Sequence, residues 1–256
     1  MLDFMSVDAQ VVARLASDMD RQGYAVLENA LSSEQLETAR SEILGEAASR
    51  GNEYFAVHGI EAMEGTILGS LCATSTFRQL LADLYEKTVG QPPPMEERIF
   101  PVIRCLQGHS GLKESHFYHF DATAVTALAP VFIPDQGEHC GDLIMFPNLR
   151  KVRRSALVNI IEKAVLHNNL SKKICAFGVR RGWLSPIRIK LKPGNLYLFW
   201  GYRSLHCNDQ CDPDKLRATG LYHFGNPHRE SFLARKLLGS NKRKANLDED
   251  GLRPVS

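Results

Sequence analysis

A mainly β domain with flanking helices is the fold class this sequence predicts, on three observations. Apolar runs compatible with strands cluster at 99–134 and 187–224. Stretches with helical spacing precede them, at 7–21, 32–49 and 76–89. The 256 residues are 44% apolar, enough for one sizeable core. No apolar run approaches the ~18 residues of a membrane span, so no membrane partner is expected.

The elements follow in order. Residues 7–21 read as a helix and 23–30 as a strand. Ser32 is a candidate N-cap with Gln35 three residues on, the capping-box spacing, and opens a helix to about residue 49. Residues 52–70 are Gly-rich and give no assignment. From 76 to 89, Phe77, Leu80, Leu81, Leu84 and Tyr85 recur at helical spacing, and Gly90 with the prolines at 92–94 ends the helix. Residues 99–104 read as a short strand. Residues 116–134 read as a strand, a turn at Ala122-Thr123 and a second apolar strand. Beyond Leu149 the texture changes. Leu157, Ile160, Ile161, Ala164, Val165 and Leu166 mark an amphipathic helix between basic clusters. From Ile187 to Lys192 apolar and basic residues alternate, the pattern of a strand with one positive face. Pro193-Gly194 is a turn, 195–200 a buried strand, 208–215 a polar loop and 216–224 the next strand. A short helix to about 238 precedes a polar, disordered tail at 239–256. One domain, 1–238, is therefore expected, with a lid-like insertion at about 150–192.

Net charge is +2, from 31 Lys and Arg against 29 Asp and Glu, but its distribution is uneven. Residues 150–192 hold twelve cationic side chains and one acid, whereas 1–149 hold nine against twenty-one. Such a segment either gathers an anion or clasps the acidic remainder of the chain. The six cysteines, at 72, 105, 140, 175, 207 and 211, form no dense framework and predict free thiols in a reducing cytoplasm. The start, Met1-Leu2-Asp3-Phe4, lacks the basic region of a signal peptide. No dinucleotide fingerprint or P-loop is present, so nothing speaks for NAD, FAD or ATP.

The chemistry concentrates in His119-Phe120-Asp121, His206 and Arg217. Two imidazoles and one carboxylate can take three adjacent corners of an octahedral metal and leave three open, the ligand set of a non-haem Fe(II) oxygenase. On a strand, His119 and Asp121 would share one face by the two-residue period. The same period aligns Arg217 with Thr219 and His223. A guanidinium holds a carboxylate at two points, and the Thr219 hydroxyl would lie beside it. Zinc on the same residues is a second reading, since imidazole suits both metals. His139-Cys140 with Cys207 and Cys211 could form a separate zinc site, though the spacing is not that of a zinc finger.

Tyr118-His119-Phe120-Asp121, Ile133-Pro134, Gly141-Asp142-Leu143 and Pro147 resemble the first metal-binding half of Fe(II)/2-oxoglutarate dioxygenases. Pro193-Gly194-Asn195-Leu196, His206 and Arg217-Ala218-Thr219 resemble the second half. The stretch from Gly23 to Leu31 is similar to the opening of the phytanoyl-CoA dioxygenase branch. The resemblance spans roughly residues 20–230. It implies a double-stranded β-helix, or jelly roll, with Fe(II) on His119, Asp121 and His206. It also implies 2-oxoglutarate on the iron, its distal carboxylate on Arg217 beside Thr219, and O2 as second co-substrate. The implied reaction releases succinate and CO2 and oxidises an unactivated C–H bond. With Asp121 in place, the position that chloride takes in related halogenases is filled, so hydroxylation is favoured over halogenation; desaturation and cyclisation share its first step.

The basic segment points to a small anionic metabolite as substrate. Arg153, Arg154, Arg180, Arg181 and Trp183 are its candidate contacts, with Arg104 and Tyr118 nearer the metal. A nucleic-acid- or protein-directed oxygenase is the alternative. Against nucleic acid stands the scarcity of aromatic residues in the segment, Phe177 and Trp183 alone. A cupin-like binding protein would be the non-enzymatic case, and it needs no metal triad.

Overall fold

The computed structural model describes residues 7–150, 181 and 185–227. Helix α1 (Ala9–Arg21) is capped by the Asp8 carboxylate and leads into β1 (Tyr24–Leu27). Ser32 closes the predicted capping box with Gln35 on α2 (Ser33–Ser49), satisfying N–H groups that the first turn leaves open. The unassigned Gly-rich stretch contains β2 (Phe55–His58), a 3-10 turn at Glu61–Met63 and α3 (Ile67–Ser70), and a second 3-10 turn follows at Leu71–Ala73. Helix α4 (Ser75–Val89) buries the five predicted residues and ends at Gly90, in the left-handed conformation at φ 81°.

Then come β3 (Phe100–Leu106), α5 (Gly108–Lys113), β4 (Val125–Phe132), β5 (Leu143–Phe146), β6 (Ile187–Ile189), β7 (Leu196–Phe199), β8 (Leu205–Asn208) and β9 (Arg217–Phe224). They build two antiparallel sheets, ordered β1-β7-β4-β9-β3-β2 and β6-β5-β8. This is the expected jelly-roll class. The helices cover the outer face of the larger sheet, where Leu15, Met19, Phe77, Leu81 and Tyr222 join one core. A second cluster, Leu128, Met145, Ile189, Tyr197 and Phe199, fills the space between the sheets.

Three local expectations are corrected. Residues 116–121 are not a strand: His116 has a positive φ of 57°, and the ladder contracts to an isolated bridge between His119 and His206. A strand at 99–104 is expected beside the chain that carries His119; instead β3 pairs with β2 and β9, and β9 separates it from β4. Helix α5 was not anticipated, because Gly-His-Ser-Gly is poor helix sequence. The alternation of 187–192 holds, with Ile189 and Leu191 buried and Arg188, Lys190 and Lys192 exposed, although ladder pairing stops at Ile189. The predicted helix within 151–180, the C-terminal helix and the tail lie outside the described residues, as does most of the predicted insertion. Among the described residues no helix is long and apolar enough to cross a membrane.

Candidate active site

The metal-capable cluster grows from one backbone pairing. His119 N–H donates to the His206 carbonyl and His206 N–H to that of His119, both at 3.0 Å. Such a hydrogen-bonded antiparallel pair puts both side chains on one face, and the rings lie 4.5 Å apart. Each imidazole is oriented through Nδ1: His119 against the Phe117 carbonyl at 2.8 Å, His206 against that of Ser204 at 3.0 Å. A carbonyl only accepts, so Nδ1 carries the proton and Nε2 presents its lone pair inward, the tautomer a metal requires. Asp121 follows two residues after His119. Its Oδ1 lies 3.7 Å from His119 Nε2 and its Oδ2 3.7 Å from His206 Nε2. One ligand atom from each residue falls within 4.8 Å of the others, and among the described residues no other group of His, Cys, Asp or Glu converges in this way. The donor set fits a hard-to-borderline divalent ion. The alternative zinc group of His139, Cys140, Cys207 and Cys211 does not form.

Electrostatics agree with a metal-ready state. Burial pushes His206 down to about 4, against partial opposition from Asp121, so it is neutral at pH 7. Burial would raise the Asp121 carboxyl, but the imidazoles of His206, His223 and His119 outweigh it and hold the group well below the usual carboxylate range. At His223 burial opposes the charged form, and the adjacent Asp121 carboxylate outweighs it and raises the pKa. The cluster therefore offers a neutral His206 and an ionised Asp121.

The second feature is Arg217, on β9. It is 3% exposed, and among the described residues no carboxylate pairs with it. Its Nε donates to the Gly141 carbonyl at 2.6 Å, and one terminal nitrogen approaches the Thr219 hydroxyl at 3.4 Å. Burial, then the neighbouring Arg104 guanidinium, lowers its pKa to about 10. A buried cation without a counter-ion is costly. Gly141 makes the cradle: it has φ 72°, and a Cβ there would sit 2.3 Å from Arg217 Cδ.

The other predicted contacts sort into three groups. Arg104 is brought beside Arg217: it pairs with Thr219 across the strands, ion-pairs Glu114 at 3.0 Å, and leaves its buried Nε without a hydrogen-bond partner. Tyr118 is not brought to the centre. It alternates to the side opposite His119 and packs with Phe120, Ile144, Phe146, Leu205 and Cys207. Arg181 is exposed, while Arg153, Arg154, Arg180 and Trp183 lie outside the described residues. Two further members of the basic segment are engaged inside the fold. Arg150 is buried between the Phe120 and Tyr202 rings, 4.0 and 3.9 Å from their centres. Arg188 pairs with Asp209 and, at 3.5 Å, with Asp142. Cys72, Cys105, Cys140, Cys207 and Cys211 are free thiols. Sequence reasoning placed His223 on the correct face; it did not find Thr126, Gly201 or the role of Gly141. Their only signal is a lone small residue beside a motif.

No family model and no curated protein matches the sequence. Solved structures do match the fold. A prolyl 4-hydroxylase from Phytophthora capsici aligns over 90% of this chain and 68% of its own, at 13% identity and a TM-score of 0.58. EctD from S. alaskensis, solved with bound Fe, aligns over 88% and 79% at 17% identity and 0.53. The non-heme alpha-ketoglutarate-dependent carbocyclase SnoK from nogalamycin biosynthesis aligns over 87% and 89% at 15% identity and 0.50. The shared fold is the jelly roll; the phytanoyl-CoA dioxygenase branch is not singled out.

Proposed function

We propose that this chain is an Fe(II)- and 2-oxoglutarate-dependent oxygenase that hydroxylates a small anionic metabolite. One observation carries the reading: the barrel that brings His119, Asp121 and His206 within 4.8 Å of one another also buries Arg217 with no anionic partner among the described residues. A metal triad alone fits a zinc protein, and an unpaired buried arginine alone fits any anion binder; together they match one ion and one carboxylate co-substrate. Iron bound here would supply O2 activation coupled to decarboxylation of 2-oxoglutarate to succinate and CO2. The protein's part is positional. Nε2 of His119 and His206 and the Asp121 carboxylate hold the ion. Arg217, set by Gly141 and Thr219, grips the distal carboxylate of the co-substrate at two points. Leu128, Tyr197, Phe199 and their neighbours keep water from the space between the sheets.

The anionic substrate is the finer part of the proposal, and its support is the charge of residues 150–192. With Arg150 and Arg188 engaged internally, that support narrows to Arg153, Arg154, Arg180 and Arg181. The decisive assay is succinate and CO2 release with Fe(II), ascorbate and 2-oxoglutarate, with and without candidate anionic metabolites, peptides and oligonucleotides. Stimulation by an anionic metabolite supports the reading. Stimulation by peptide alone moves the substrate to protein, and no 2-oxoglutarate turnover under any condition overturns it.

A further inference from the structure

We propose that Thr126 and Gly201 are positioning residues that clamp Asp121 in its metal-ligating rotamer, an inference that rests on the metal site proposed above. Thr126 is on β4, five residues beyond Asp121, and is fully buried. Its hydroxyl donates to Asp121 Oδ2 at 2.5 Å. A hydroxyl has one proton; with that proton on Asp121, its lone pairs face His223 Nδ1 at 3.4 Å. His223 Nδ1 also lies 3.6 Å from Asp121 Oδ2, so His223 and Thr126 meet at the same carboxylate oxygen, set by the β4–β9 register that places Thr126 opposite His223.

Gly201 closes the other side. Asp121 N–H donates to the Gly201 carbonyl at 3.0 Å, which fixes the backbone of the ligand. A Cβ on Gly201 would lie 2.4 Å from Asp121 Oδ2 and 2.3 Å from the Thr126 hydroxyl. The carboxylate thus occupies space that any other residue at 201 would fill. With one carboxylate oxygen engaged by Thr126, the other keeps its lone pairs for the ion, so the clamp selects one-oxygen ligation. An unclamped Asp121 could swing to chelate through both oxygens and fill a corner that a co-substrate needs, or turn away altogether. Groups that orient metal ligands typically change affinity by ~10–100-fold when lost.

The experiment compares wild type with Thr126→Val, Thr126→Ser and Gly201→Ala. Mn(II) and Co(II) are titrated anaerobically by calorimetry, Co(II) d–d absorption reports ligand geometry, and the Tm of each metal-free protein reports folding separately. Thr126→Val preserves shape and removes the hydroxyl; it should weaken metal binding ~10–100-fold and shift the Co(II) spectrum. Thr126→Ser should recover affinity to within a few-fold and restore the spectrum. Gly201→Ala should match or exceed the Val effect. If Thr126→Val does not fold, Thr126→Ala replaces it with the same expectation. Unchanged affinity in the variant lacking the hydroxyl, or a Ser variant as weak as the Val variant, overturns the clamp while leaving the metal site standing. A wild-type chain that binds neither ion overturns both.

Discussion

The two ends of the pocket are built on opposite plans. At the metal end, His119 and Asp121 stand on irregular chain between α5 and β4, oriented by the Phe117 and Gly201 carbonyls, while the Ser204 carbonyl orients His206 on β8. At the proposed anion end, Arg217 opens the eight-residue strand β9, and among the described residues no carboxylate pairs with it. The metal end is electrically prepared, with Asp121 ionised and His206 neutral. The anion end is electrically unfinished. On the proposed function, the difference teaches that preorganisation takes two forms: hydrogen bonds would fix the metal ligands in advance, and desolvation would reserve Arg217 for a guest.

The largest expected break is at the metal end. Asp121→Ala should abolish turnover and lose metal affinity beyond the ~10–100-fold that removal of a supporting contact causes, with apo Tm and circular dichroism nearly unchanged. A variant that still turns over 2-oxoglutarate would show that Asp121 is not a ligand. Next comes the anion end. Arg217→Lys keeps the charge and loses the planar fork, so the KM for 2-oxoglutarate should rise about 10- to 100-fold, the worth of one charge-assisted hydrogen bond. Equal KM values would place the co-substrate anchor elsewhere.

The third test sets stability against binding. Since Arg217 is buried and no carboxylate among the described residues pairs with it, Arg217→Met should raise the apo Tm by a few degrees, on the order of 1 kcal/mol. The same variant should lose the thermal stabilisation that 2-oxoglutarate gives wild type. A destabilised Met variant would mean that the Gly141 hydrogen bond outweighs the cost of burial. Gly141→Ala probes the cradle from its other side. Its positive φ and the approach to Arg217 should together cost about 1–3 kcal/mol and raise the 2-oxoglutarate KM. The smallest effect belongs to Arg188→Gln, on a side chain 54% exposed, whose ion pairs should be worth under about 1 kcal/mol. A raised substrate KM there, in place of a small Tm change, would reverse its assignment as a structural contact.

Where the sequence was legible, the determinants were local. Ser32 and Gln35 sit one helical turn apart, Gly90 ends α4, and Pro193-Gly194 precedes β7, so each signal and its effect share a few residues. The triad was legible because three chemically distinctive residues have few other uses in such a pattern. The strand reading of 116–121 failed because only one ladder pair, His119 with His206, forms there, and pairing over 87 residues of chain is decided by the fold rather than by propensity. Gly201, Gly141 and Thr126 were invisible for the same reason: each matters through a residue from a different strand or turn. The basic segment misled in part. Its charge count is correct, but the count cannot separate Arg188, which faces Asp142 and Asp209, from an arginine facing a ligand.

The end of α1 reaches across the molecule to the turn that clamps Asp121. Asp20 accepts from Trp200 Nε1 at 2.9 Å and from Arg203 at 2.8 Å, and Asn148 donates to the Met19 carbonyl at 2.9 Å. Strand β1 likewise pairs with β7, so Tyr24 waits for Phe199. During synthesis the first strand must remain without its ladder partner until most of the chain has been made. Loop closure across ~175 residues is slow compared with helix formation, so α1, α2 and α4 should form early and the sheet that seats them late. An ion supplied before that moment would meet His119 and Asp121 without His206. On the proposed metal site, loading waits until synthesis has passed residue 206, and refolding experiments should find high-affinity metal uptake only in the last kinetic phase.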